Sequence, residues 1–159
     1  MHLIGYPRMQ GYDQILDPKC IVICTDKSRR KAVTDINEAK AWFKSKFPND
    51  KFPFDQEYNK IESLLTISEF VLFHSSESTA HCASGGPGIV EWDSDRPVVQ
   101  AMLVSGCPSF TYSTNRDGSY YNGVKIPLEY LFEKGLLMAR LHEQLSKDDE
   151  KLRNELFYM

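Results

Sequence analysis

Residues 89–104 read IVEWDSDRPVVQAMLV, and this stretch decides the fold class. Two β-prone runs, Ile89–Trp92 and Val98–Val104, flank the polar connection DSDRP. A short polar link between two such runs predicts a hairpin, and hairpins build antiparallel sheets. Upstream, EFVLFH at 69–74 predicts another strand. CIVICT at 20–25 is continuously apolar, and it predicts a central strand. Downstream, SFTYST at 109–114 alternates, with Phe110 and Tyr112 facing one way and Thr111 and Ser113 the other. A polar turn at Asn115–Gly118 then leads into a further strand over Ser119–Val124. Residues 1–19 read as an irregular arm with a short strand at Leu3–Ile4.

Helices fill the gaps. Ile36, Ala39, Phe43 and Phe47 recur at three- and four-residue intervals, and Trp42 widens that face. Asp35 with Glu38 three residues later suits a capping box, so the helix is expected over 36–47, ending at Pro48. The charged DKSRRK before it reads as a turn. Tyr58, Ile61, Leu64 and Leu65 predict a second helix over 57–65. Pro127 opens a third, carried by Leu128, Leu131, Phe132, Met138, Leu141 and Leu145, with Gly135 marking a bend or close packing. SKDDEK at 146–151 reads as a break or restart, and Leu152, Leu156 and Phe157 suit a terminal turn. The expectation is one α+β domain over 1–159, an antiparallel sheet of about five strands packed against two or three helices.

Composition bounds the function. The 159 residues are 42% hydrophobic with nine Phe, eight Tyr and two Trp, which is globular and not disordered. The net charge of −3 disfavours a broad phosphate-binding surface, and hence nucleic acid as a partner. Lys27, Arg29, Arg30 and Lys31 are the one dense basic run, and they read as a solvated turn, with anion binding there as the lesser alternative. No segment approaches the ~20 apolar residues of a membrane span. The start of the chain lacks a basic segment followed by an apolar run, so the cytoplasm is the expected compartment. Cys20 and Cys24 fall on one face of the predicted strand but ~13 Å apart, too far for a disulfide. Four buried free thiols are therefore expected, at Cys20, Cys24, Cys82 and Cys107.

The most reactive stretch is FHSSESTAHCASGGPG, residues 73–88. Here Cys82 reads as a nucleophile, with His81 or His74 as base and Glu77, Asp93 or Asp95 orienting it. Gly85 and Gly86 would supply amide donors to an oxyanion. This is a small cytosolic hydrolase or transferase. Neighbouring residues rarely aim both side chains correctly, however, and no GxSxG elbow is present. Metal binding by His74, His81 and Cys82 with Cys107 lacks a template spacing, and ASGGPG lacks the Lys-Ser/Thr pair of a phosphate loop. No cofactor or metal is expected.

The preferred reading is a non-catalytic protein-binding module of inhibitor, immunity or adaptor type. Its candidate contact residues are Glu91, Tyr112, Tyr120, Tyr121 and Asp117. Tyrosines beside a polar turn combine large contact area with polar tips. The mild acidity suits another protein as partner, one of basic character. A homodimer through the Leu-rich last helix stands beside the monomer.

Overall fold

The computed structural model describes residues 2–3, 20–75, 85–93, 96–114 and 118–157. The hairpin at its centre is longer than its sequence signature. β4 (Pro87–Asp93) pairs antiparallel with β5 (Arg96–Cys107), and Asp93 already opposes Arg96. Arg96 and Pro97 are therefore strand residues. β8 (Phe132–Leu137) flanks β5 only from Ala101 onward, so Pro97 sits where the strand has a neighbour on one side alone. That is a place where a residue without an N–H is tolerated.

Four further strands complete the architecture on either side of this hairpin. β1 (His2–Leu3) borders β4, while β3 (Phe70–Ser75) borders β8 and carries β2 (Cys20–Ile23) on its outer side. The order is β1-β4-β5-β8-β3-β2, antiparallel throughout. β6 (Tyr120–Tyr121) and β7 (Val124–Lys125) form a separate ribbon. The chain thus has an α+β fold in which helices pack on an antiparallel sheet.

Four expectations that concern the strands are corrected. CIVICT is not a central strand: β2 is an edge, and Ile21 is 70% exposed while Cys20 and Ile23 are buried. A short apolar run reads the same at either location. SFTYST is not a strand: Thr111–Thr114 makes one helical turn, α3, and the Thr111 hydroxyl donates to the Pro108 carbonyl at 2.9 Å. Adjacent Phe110 and Thr111 are both buried, which a two-sided strand does not achieve so simply. Ser119–Val124 is not one strand but a hairpin. Asn122 and Gly123 both take positive φ, 47° and 80°, the two-residue turn that Asn-Gly favours.

The last correction is the largest. The helical spacing after Pro127 yields a 3₁₀ turn at Leu128–Tyr130, then the central strand β8, and only then α4 (Met138–Asp148). β8 reads FEKGLL, with Glu133 and Lys134 inside it, so it shows no clean strand alternation, and Phe132 at its start falls into the helical spacing of Leu128, Leu131 and Met138 around it. Gly135 resolves the ambiguity. A Cβ there would stand 3.2 Å from a Phe73 ring carbon and 3.3 Å from the Ala101 methyl. The glycine lets Phe73 lie flat over β8, the close packing that its position suggested. α5 (Glu150–Phe157) follows and sets the Phe157 ring against His142 at 5.0 Å.

α1 (Asp26–Lys46) begins ten residues before its expected first residue, Ile36. Thr25 caps it: the hydroxyl accepts from the Ser28 amide and Ser28 Oγ accepts from the Thr25 amide. Serine thus does the work for which Glu38 was expected, and DKSRRK is helix. α2 (Phe54–Leu64) lies beside α1, and together they cover the sheet face that carries Ile23, Leu72 and Phe132. Cys20, Phe73 and Leu103 are buried on the opposite face. The core under the helices is aromatic. Phe43, fully buried, meets the rings of Phe47, Phe54, Tyr58, Phe110 and Tyr121 at centroid distances of 4.7–6.0 Å.

Two substitutions grade these contributions in urea melts. Phe43→Ala empties the centre of the cluster, and a loss of about 3–5 kcal/mol is expected. Thr25→Ala removes only the cap, at about 1 kcal/mol. Equal losses would show that the aromatic cluster does not organise the core.

Candidate functional site

Of the predicted nucleophile and its two candidate bases, His74 is the one that lies within the described residues. β3 turns its side chain toward α1, where it stacks on Phe132 at 4.5 Å between ring centres. Nδ1 lies 2.9 Å from the Leu131 carbonyl. A carbonyl only accepts, so Nδ1 carries the hydrogen. Nε2 faces the Asp35 carboxylate at 3.6 Å. Asp35 is buried, and both its oxygens receive the Lys31 ammonium, at 2.8 and 2.7 Å. The result is a chain Lys31–Asp35–His74–Leu131 that ties α1 to β3 and to the end of the 3₁₀ turn.

Each nitrogen of this ring already faces a protein acceptor. A base working on a substrate needs one nitrogen turned toward the reacting proton. In the neutral ring, the Nε2 lone pair faces the carboxylate. Protonation turns that contact into a charge-assisted donor. Burial nevertheless dominates and holds the His74 pKa below its ordinary value, against the Leu131 carbonyl and Asp35, which favour the charged ring; Lys31 adds to the lowering.

His81, Cys82 and Asp117 lie outside the described residues, so the convergence of His74 with Cys82 does too. Glu91 occupies β4 opposite Pro97. Cys107 is half-buried, and burial pushes its thiol up to about 11, far from thiolate chemistry at neutral pH. Cys24 lies beyond the end of β2 and is exposed, whereas Cys20 is buried, so the two do not share a strand face. Among the described residues no three His, Cys, Asp or Glu side chains converge to hold a metal ion.

The tyrosines separate. Tyr121 is buried in the aromatic cluster and donates to Asp50 Oδ2 at 2.9 Å; its hydroxyl is pushed up to about 12, first by burial and then by Asp50. Tyr112 lies against both Gly106 and Gly118, where any Cβ would overlap its ring, with its hydroxyl 3.4 Å from Glu133 Oε1. Tyr120 is half-buried on β6.

A surface that sequence reasoning missed adjoins His74. Tyr58 donates to the Tyr130 carbonyl at 2.9 Å and so fixes the 3₁₀ turn against α2. The Tyr130 ring then lies 6.1 Å from the Trp42 ring, both half-buried. The Tyr130 hydroxyl is raised by burial first, then by the negative charges of Glu38, Glu129 and Asp35. Glu38 and Glu129 are exposed. The available signal was Asp35. A carboxylate on the same helical face as Ala32, Ile36, Ala39 and Phe43 must meet a partner, which Lys31 supplies from one turn back.

No protein-family model matches the chain, and no curated protein matches it significantly. No described helix is long and apolar enough to cross a membrane.

The histidine gives a pH test. The native chain takes up this proton at lower pH than the unfolded chain does. Stability linked to His74 is therefore complete above about pH 6.5 and declines as the pH falls toward the native pKa. In an NMR titration the His74 resonance is expected to have its midpoint below about 6.5, and His74→Gln should weaken the acid-side loss of stability. A midpoint above that value would mean that Asp35 outweighs burial. Separately, Tyr121→Phe should cost about 0.5–1.5 kcal/mol through its lost hydrogen bond to Asp50, measured by thermal melting. No loss would show that this bond contributes nothing.

Proposed function

We propose that the chain is a non-catalytic protein-binding module, of inhibitor, immunity or adaptor type, whose partner is a basic protein. The acidic–aromatic surface on α1 and the 3₁₀ turn carries this reading. Trp42 and Tyr130 offer rigid apolar area, with exposed Glu38 and Glu129 beside them. Leu128 on the same turn is 37% exposed, and Ile21, paired in register with His74, adds aliphatic surface. Aromatic anchors ringed by charge are what a protein interface uses: the rings supply affinity and the carboxylates steer the encounter. The His74 Nδ1 bond to the Leu131 carbonyl and the packing of its ring on Phe132 support a structural role for that residue beneath this surface.

The test is affinity capture from native lysate with the immobilised chain, followed by titration of the purified partner. A saturable, basic partner is expected, with an association rate that falls as salt rises. Trp42→Ala and the pair Glu38→Lys/Glu129→Lys should each weaken it by about tenfold or more. The charge pair should keep the melting temperature. Trp42→Ala should lower it, because that ring packs on Phe43 at 4.8 Å, and is measured where the chain stays folded. Failure to recover a specific partner overturns the reading. Unchanged affinity in both variants would move the interface elsewhere.

A further inference from the structure

The opposite flank of α1 has a different character. Between the first turns of α1 and the end of α2 runs an open groove of about 840 Å³. Val33, Leu65 and Ile67 give it an aliphatic lining, with Val33 and Leu65 half-buried and Ile67 38% exposed. Arg29 and Arg30 stand on its α1 wall, both exposed and in no ion pair among the described residues. Glu62, the one carboxylate of the lining, is already held by Lys40 at 3.4 Å. The unspent charge of the groove is therefore positive, in a chain of net charge −3.

We infer that this groove docks a short acidic–aliphatic peptide segment of a partner protein. One or two aliphatic side chains lie against Val33, Leu65 and Ile67, and carboxylates of the same segment pair with Arg29 and Arg30. The guanidinium group matches a carboxylate with two parallel hydrogen bonds, which a lysine does not. Two arginines on successive helical positions point about 100° apart, so they suit carboxylates spaced along a chain more than a single anion. The described lining residues include no aromatic ring on which a base would stack, which disfavours nucleic acid. The floor is ordered beforehand: the amides of Leu65, Thr66 and Ile67 donate to Glu62, Ser63 and Leu64, and the Thr66 hydroxyl also bonds to Ser63. With those donors used, recognition falls to side chains and not to strand addition. Little ordering cost remains on this side of the complex.

The basic run that the sequence presents as a solvated turn is thereby divided. Lys31 is spent on Asp35, while Arg29 and Arg30 face the groove.

The experiment pans a random peptide display library on the intact chain and titrates the selected peptides by fluorescence anisotropy. Selected sequences should be enriched in Asp and Glu next to Leu, Ile or Val. Arg29→Glu/Arg30→Glu should weaken them by about tenfold or more, as should Ile67→Ser, with unchanged melting temperatures. The charge-matched control Lys147→Glu/Lys151→Glu, on the C-terminal helices, should not. An absence of acidic–aliphatic enrichment, or equal binding to the arginine variant, overturns the proposal. Basic peptides that survive the arginine changes and are lost with Glu38→Lys/Glu129→Lys also overturn it, yet they support the protein-binding reading of the other flank.

Discussion

The apolar stripe of α1 is the contact on which the rest of the molecule depends. Ala32, Ile36, Ala39 and Phe43 are all buried, and they divide the helix into two exposed flanks. The two alanines let the helix axis approach the sheet, and Phe43 anchors its far end in the aromatic cluster. Close approach has an electrostatic consequence. Asp35 lies on the same buried face, so seating the stripe also carries a carboxylate out of water. An isolated buried charge costs several kcal/mol, so its partners are part of the packing and not additions to it. Lys31 reaches over from one turn back, its own side chain 67% exposed, and supplies the charge without being buried itself.

His74 is the second partner, and it is the weaker one by geometry. At 3.6 Å from Asp35 its Nε2 is beyond a good hydrogen bond, while Nδ1 is well placed on Leu131. The neutral ring therefore serves mainly as a spacer that bonds at one end and packs on Phe132. This explains why burial outweighs the carboxylate in setting its pKa direction. It also explains why the 3₁₀ turn is held at its far end from the sheet side as well as from α2. Tyr58 and His74 take the carbonyls of Tyr130 and Leu131, two successive residues. The Tyr130 ring is presented outward because the backbone on both sides of its carbonyl is spoken for.

Legibility in the sequence followed from whether a pattern had one physical cause. The β4–β5 hairpin, β3 and α2 were readable because turn chemistry, length and periodicity agreed over Asp93–Pro97, Phe70–Ser75 and Tyr58–Leu64. β8 was not, because FEKGLL neither alternates nor forms an apolar run, and Phe132 falls into the helical spacing of Leu128, Leu131 and Met138 on either side. The start of α1 was hidden by its charge: Lys27 to Lys31 look like a turn until Thr25 and Ser28 are recognised as a cap. At the site, His74 stood out by composition alone. Asp35 also stood out, but as a helix cap, since nothing local reveals that a carboxylate faces a histidine 39 positions away. Trp42 and Tyr130 come together only through the fold.

The net charge of −3 conceals a segregation. Arg29 and Arg30 lie on one flank of α1, and Glu38 on the other with Glu129 close by. Both surfaces share one helix of 21 residues, capped at its start and anchored at its end. A rigid shared element transmits little by itself, because coupling between two ligands requires an element with two arrangements that each ligand weighs differently. The part of α1 best suited to such a difference is the Lys31–Asp35–His74 contact. Its ammonium is largely exposed and sits one residue from Arg30, while its carboxylate acts on Tyr130. That contact nonetheless presents a single arrangement, with the Lys31 ammonium on both Asp35 oxygens at 2.8 and 2.7 Å, so the two flanks stand as separate surfaces of one rigid helix.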